Sequence, residues 1–148
     1  MDKSGGDIGV SLSHDGGMTW SDAQNVSINA KGKPALEDQF FPWIAVNPSG
    51  TFYAIWLDCR KDPGNHRINT FQASSADDGA TWPNVKISTA DWDPDDGFFK
   101  SASFIGDYSG LAASDVAVYP SWTDGRDSAI GRTGYGETDV FTNVEILG

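Results

Sequence analysis

The sequence predicts an all-β chain, and three observations carry that expectation. The composition is rich in strand and turn formers: 17 glycines, 7 prolines, 6 tryptophans, 8 phenylalanines and 4 tyrosines in 148 residues. Short apolar runs alternate with turn signals along the whole length, and none has the period of an amphipathic helix. Two different short motifs each occur twice at nearly the same separation. The acidic residues agree. The 18 aspartates outnumber the 3 glutamates, and Asp favours turns where Glu favours helices.

The strands are expected in this order. IGVSL (8–12) and QNVSI (24–28) flank the first copy of one motif. PWIAV (42–46) runs into NPSG (47–50), a turn in which Pro presets φ and Gly accepts a left-handed backbone, and TFYAIWL (51–57) returns. INTFQAS (68–74) and NVKIS (84–88) flank the second copy. SFIGDYSGLAA (103–113), VAVYPSW (116–122) and DVFTNVEIL (139–147) complete the set.

The first motif is Ser-x-Asp-x-Gly-x-Thr-Trp: Ser13, Asp15, Gly17, Thr19 and Trp20, then Ser75, Asp77, Gly79, Thr81 and Trp82, 62 residues on. The second is Trp-x-Asp-x-Arg: Trp56, Asp58 and Arg60, then Trp122, Asp124 and Arg126, 66 residues on. Two motifs of nearly equal period imply one supersecondary unit used repeatedly. Within it, Trp-x-Asp-x-Arg ends the second strand and the Ser-Asp-Gly-Thr-Trp motif joins the third to the fourth. Four antiparallel strands per unit match a β-propeller blade. Residues 1–148 then form a single partial propeller of about two to two and a half blades. Residues 6–28 give a half blade, 41–89 a full blade, and 102–147 three strands of a further one. An incomplete ring leaves sheet faces and edges open, so either a longer chain or self-association is expected to cover them.

The first motif is chemically a turn. Its Asp accepts backbone N–H groups, its Gly adopts angles that a Cβ forbids, its Ser and Thr satisfy the remaining polar groups, and its Trp plugs the sheet layers. The two copies resemble the Asp-box of the sialidase-like (BNR-repeat) propellers. That resemblance implies a structural role on the outer rim, away from any pocket. Trp-x-Asp-x-Arg has two readings: Trp packing between blades with Asp paired to Arg, or Arg60 and Arg126 offering planar forks to a substrate carboxylate. The remaining arginines are Arg67 and Arg132.

A third feature, GDYSGLA (106–112), resembles the tyrosine segment on the inner strand of the last sialidase blade. In that family a Tyr serves as nucleophile in place of a carboxylate. The resemblance implies Tyr108 as catalytic candidate, with Asp107 beside it joining Arg60 and Arg126 as substrate-binding candidates. The alternative is a core tyrosine held by a hydrogen bond. The chain departs from the family in having no Arg-Ile-Pro motif, and Glu37, Glu137 and Glu145 lack the expected context. The parent protein is therefore expected to bind glycans or hydrolyse them in the manner of an exo-sialidase, with this chain alone inactive. The alternatives are a non-catalytic carbohydrate- or protein-binding module, or a structural piece that completes a ring by oligomerisation.

A net charge of −11 repels phosphate backbones and anionic membranes, so neither nucleic acid nor membrane insertion is expected; an anion would need local basic residues. Cys59 is alone, which excludes an intrachain disulfide and a cysteine metal cluster. DWDPDDG (91–97) alternates Asp91, Asp93 and Asp95 as a calcium loop does. However, Asp96 stands where Gly is required and Ala102 where Glu is required, so a solvated acidic loop is expected. His14 and His66 are isolated in sequence. No metal and no cofactor are expected. MDKSGGDIGV has no apolar signal core and leads at once into a strand, which suggests a fragment of a longer parent; the family resemblance implies that this parent is secreted or at the cell surface.

Overall fold

The computed structural model describes residues 5–96, 105–106, 108–127 and 138–147, and these form three antiparallel sheets. The first pairs β1 (Gly9–Val10) with β2 (Gln24–Asn25). The second is a four-stranded meander in chain order: β3 (Gln39–Val46), β4 (Phe52–Asp58), β5 (Asn69–Ser75) and β6 (Asn84–Lys86). The third joins β7 (Gly110–Ala113), β8 (Ala117–Asp124), β9 (Asp139–Thr142) and β10 (Glu145–Ile146). Among the described residues the only helical element is one 3₁₀ turn, Pro94–Asp96. No sheet closes on itself there.

Local chemistry sets the joints. In NPSG the Asn47 N–H donates to the Thr51 carbonyl at 3.0 Å, and the Asn47 side chain accepts from the Thr51 N–H at 2.7 Å. Gly50 closes the hairpin at φ +87°. The register of β3 against β4 slips between Phe40 and Trp43. Pro42 has no N–H for the ladder, and Phe41 beside it takes φ +54°, so the strand bulges there. In the third sheet β9 and β10 lie on one side of β8 in a common register, which sets Asn143 and Val144 opposite Pro120 and Tyr119. Pro120 again lacks a donor, and the ladder breaks beside it. The two pieces together pair along one edge of β8, where the sequence places the run 139–147.

Both faces of the β4–β5 pair are buried, each under a different neighbour. On one face Ile8 and Val26 of the first sheet cover Ala54, Trp56, Phe71, Ala73 and Trp82. On the other, Leu57, Cys59, Ile68 and Trp92 pack with Trp122 of the third sheet, and Phe141 adds to that cluster. Burial pushes the Cys59 thiol up to about 12, so it is a core residue and an inert thiol. Two apolar surfaces stay bare. The two-stranded first sheet leaves Ile44 and Val46 of β3 exposed, and the outer face of the third sheet exposes Tyr119, Val140, Val144 and Ile146.

Several expected strands are shorter than their apolar runs: 24–28 pairs at Gln24–Asn25 and 84–88 at Asn84–Lys86, and two others need a physical reason. IGVSL pairs only at Gly9–Val10, because from Leu12 onward the chain bends into the first Ser-Asp-Gly-Thr-Trp turn. Of the run expected at 103–113, residues 103, 104 and 107 lie outside the described residues, and among the described ones the strand begins at Gly110. Gly106 has φ +84°, and a Cβ there would collide with the Thr123 hydroxyl, so the backbone makes a close approach that extended geometry does not supply.

Candidate functional site

The two Ser-Asp-Gly-Thr-Trp turns close with the same bonds. In the first, Ser13 Oγ donates to Asp15 Oδ1 at 2.8 Å and accepts from the Gly17 N–H at 2.8 Å. Asp15 accepts from the Thr19 N–H at 2.9 Å and from Thr19 Oγ1 at 2.6 Å, and Trp20 Nε1 donates to the Gly17 carbonyl at 3.2 Å. In the second, Ser75 Oγ donates to Asp77 at 2.8 Å and accepts from Gly79 at 2.9 Å. Asp77 accepts from the Thr81 N–H at 3.0 Å and from Thr81 Oγ1 at 2.6 Å, and Trp82 Nε1 donates to the Gly79 carbonyl at 3.0 Å. The threonine side-chain bond, with the backbone and serine bonds behind it, holds each aspartate down to about 2. Such a carboxylate carries no proton near neutral pH, which removes it as a general acid.

The Trp-x-Asp-x-Arg motifs form two clamps, each at the end of a second strand. In the first, Asp58 is fully buried, accepts Trp56 Nε1 at 2.7 Å, and binds Arg60 through Nε at 2.8 Å and Nη2 at 2.7 Å. The guanidinium lies 4.1 Å above the Phe71 ring. Its Nη1 reaches out to the Ile28 carbonyl at 2.9 Å, in the segment after the first sheet. In the second, Asp124 accepts Trp122 Nε1 at 3.1 Å and Arg126 Nε at 2.9 Å. Arg126 lies 4.4 Å over Phe141 and donates to Thr89 Oγ1, in the segment after the second sheet. Each arginine thus ties its own sheet to the end of the one before it. Asn84 Oδ1 accepts from both Nη1 and Nη2 of Arg60, so that guanidinium is fully bonded within the protein.

The phenylalanines are the residues that sequence reasoning missed. Phe71 pairs with Trp56 across β4–β5, and Phe141 pairs with Trp122 across β8–β9. Their separations from the motif differ, 15 and 19 residues, and that inequality hid them. The shared signal was a lone Phe in the strand after each motif.

The other candidates are dispersed. Tyr108 precedes β7 and is 80% exposed, outside the inner strand where the resemblance set it. Asp107, Glu137, Arg132 and Ala102 lie outside the described residues. Glu145 accepts from Gln72 Nε2 at 2.6 Å across the second and third sheets, and Glu37 sits in a turn at φ +64°. His14 lies 3.8 Å from Asp78.

The acidic loop is more tightly held than a solvated loop. Trp92 bridges to Ile68 and is buried, and Arg67 Nε donates to Asp91 at 2.9 Å. His66 Nε2 stands 2.9 Å from Asp93 and 3.4 Å from Asp95. These three are the group among the described residues whose donor atoms, all within 4.8 Å, are spaced to share a cation. Arg67 Nη1 already stands 3.7 Å from Asp93 and supplies positive charge there.

No protein-family model and no curated protein sequence matches the chain.

Proposed function

We propose that the chain is part of a sialidase-like Asp-box propeller whose parent binds or hydrolyses glycans, and that both repeated motifs are scaffold. One observation carries this reading: two turns of one sequence, closed by the same bonds, each join two successive antiparallel strands, β1 to β2 and β5 to β6. The clamps support it, because they join successive sheets by one rule. Saturation of Arg60 by Asp58, Asn84 and Ile28 moves carboxylate recognition in the parent away from that arginine. Tyr108 remains the catalytic candidate of the reading, since its hydroxyl is accessible.

The test is turnover of an activated sialoside, together with glycan-array binding, by the chain and by a longer reading frame containing it. Turnover lost in Tyr108→Phe supports hydrolysis, and array binding without turnover supports a binding module. Neither turnover nor binding in either protein sinks the proposal.

A second reading, ring completion by self-association, is favoured by the bare apolar surfaces at Ile44 and Val46 and at Tyr119, Val140, Val144 and Ile146. Light scattering that gives a monomeric mass, with a cooperative melt, rules it out.

A further inference from the structure

Between the first and second sheets lies a groove of about 790 Å³, a size suited to a small ligand. One wall is the segment after β2, from Ile28 to Gly32; the other runs from Ala80 to Asn84, at the end of the second Asp-containing turn. Arg60 and Lys61 line it, and Phe71, Ile28 and Pro83 give it an apolar floor.

Its charge is opposite to that of the molecule. Asp and Glu make up 21 of the 148 residues, so about two would be expected among the thirteen that line the groove, yet none is present. Of the ten lysines and arginines, Lys3, Lys100 and Arg132 lie outside the described residues. Of the other seven, Arg60 and Lys61 line the groove, and Lys31 and Lys33 stand on the loop whose residues Ile28, Asn29, Ala30 and Gly32 form one wall, Lys33 just past it. Asp58 neutralises Arg60, whereas the three lysines form no ion pair among the described residues.

The loop that carries two of them is fixed in advance. The Asn29 side chain accepts from the Lys31 N–H at 2.9 Å and the Lys33 N–H at 3.3 Å. Ile28 bridges to Pro34, and Gly32 turns the chain at φ +69°. Lysines on a preformed loop lose less freedom on binding than lysines on a mobile one.

We propose that this groove binds a small organic polyanion: an apolar body on the Ile28–Phe71–Pro83 floor, with two or more carboxylates facing the lysines. A net charge of −11 disfavours anions in general, which makes a local basic lining selective. The site is separate from Tyr108 and does not depend on the glycan reading.

The probe is isophthalate, titrated into the full ¹⁵N-labelled chain, with isophthalamide as the neutral isostere. Saturable amide shifts confined to 28–33, 60–61 and 80–84 are expected for the dianion and absent for the diamide. The triple variant Lys31→Glu, Lys33→Glu, Lys61→Glu, checked for an unchanged fold by its spectrum, is expected to weaken binding about tenfold or more, which corresponds to about 1.4 kcal/mol. Equal shifts from the diamide, shifts centred elsewhere, no saturable shift, or full binding by a folded triple variant would each overturn the proposal.

Discussion

The two Ser-Asp-Gly-Thr-Trp turns share sequence and hydrogen bonds and differ in burial. Trp82 is 1% exposed and Trp20 is 64% exposed. The difference comes from the neighbour. Trp82 lies in the cluster with Ile8 and Val26 of the first sheet and sits 6.2 Å from the Phe52 ring. No described sheet stands in the same relation to Trp20. Gly79 reports the same contrast: a Cβ there would collide with Leu12 Cδ1, whereas at Gly17 the nearest atom is Trp20's own ring at 3.8 Å. The preceding residue differs too, with Gly16 at φ +76° and Asp78 at φ +57°, and Asp is among the residues that tolerate that region. The turn is therefore encoded locally, while its tryptophan becomes a core residue only when another sheet covers it. The expectation that both rings plug sheet layers holds at Trp82 and fails at Trp20.

The largest expected effect tests that contrast directly. Trp82→Ala removes a fully buried ring between two sheets and is expected to cost roughly 3–5 kcal/mol. Trp20→Ala removes an exposed ring and is expected to cost less than about 0.5 kcal/mol. Urea midpoints of the two variants check it. Equal losses would mean that in solution something covers Trp20, and a concentration-dependent Trp20→Ala loss would identify the cover as a second copy.

The glycines come next. Both sit at positive φ, +89° at Gly17 and +82° at Gly79, so an Ala at either is strained by roughly 1–3 kcal/mol. Gly79→Ala adds the contact with Leu12, and the excess over Gly17→Ala measures the packing of one turn on the other. A double-mutant cycle with Leu12→Ala isolates it, because shortening Leu12 clears the space. Additive losses would show that the Leu12 contact is absent in solution.

These tests also mark what the sequence discloses. Strand order, the four-stranded sheet expected within 41–89 and observed at 39–86, and the turn chemistry were legible, because alternation, NPSG and the Asp-Gly pairs act over a few residues. The clamps were half legible. Asp58 and Asp124 sit two residues from their arginines, but Phe71 and Phe141 arrive from another strand at unequal separations. Carbonyl and hydroxyl partners such as Ile28 and Thr89 carry no motif at all. The meeting of His66 with Asp93 and Asp95 was hidden for the same reason, since 27 residues separate His66 from Asp93. Tyr108 was misplaced because a pattern match ignored Gly106, whose left-handed backbone does not fit an extended strand, and β7 begins at Gly110. What hydrogen bonds within one turn decide can be read from the sequence, and what a neighbouring sheet decides cannot.

The smallest effect is the one on which the two turns should agree. Asp15 and Asp77 are each held down to about 2 by the Thr hydroxyl, with backbone and Ser bonds behind it. An unfolded Asp titrates near 3.9, so each carboxylate contributes stability that is complete above about pH 4. That contribution is lost as pH falls through about 2, because the unfolded chain takes up the proton first. Asp15→Asn and Asp77→Asn are therefore expected to be less stable than the parent at neutral pH and to remove similar parts of the acid slope between about pH 4 and 2. Unfolding midpoints across that range measure it. Loss of the slope in Asp77→Asn but not in Asp15→Asn would show that the first turn forms only when a neighbouring sheet braces it. The bonds would then follow from burial, and the claim that the turn is encoded locally would fall.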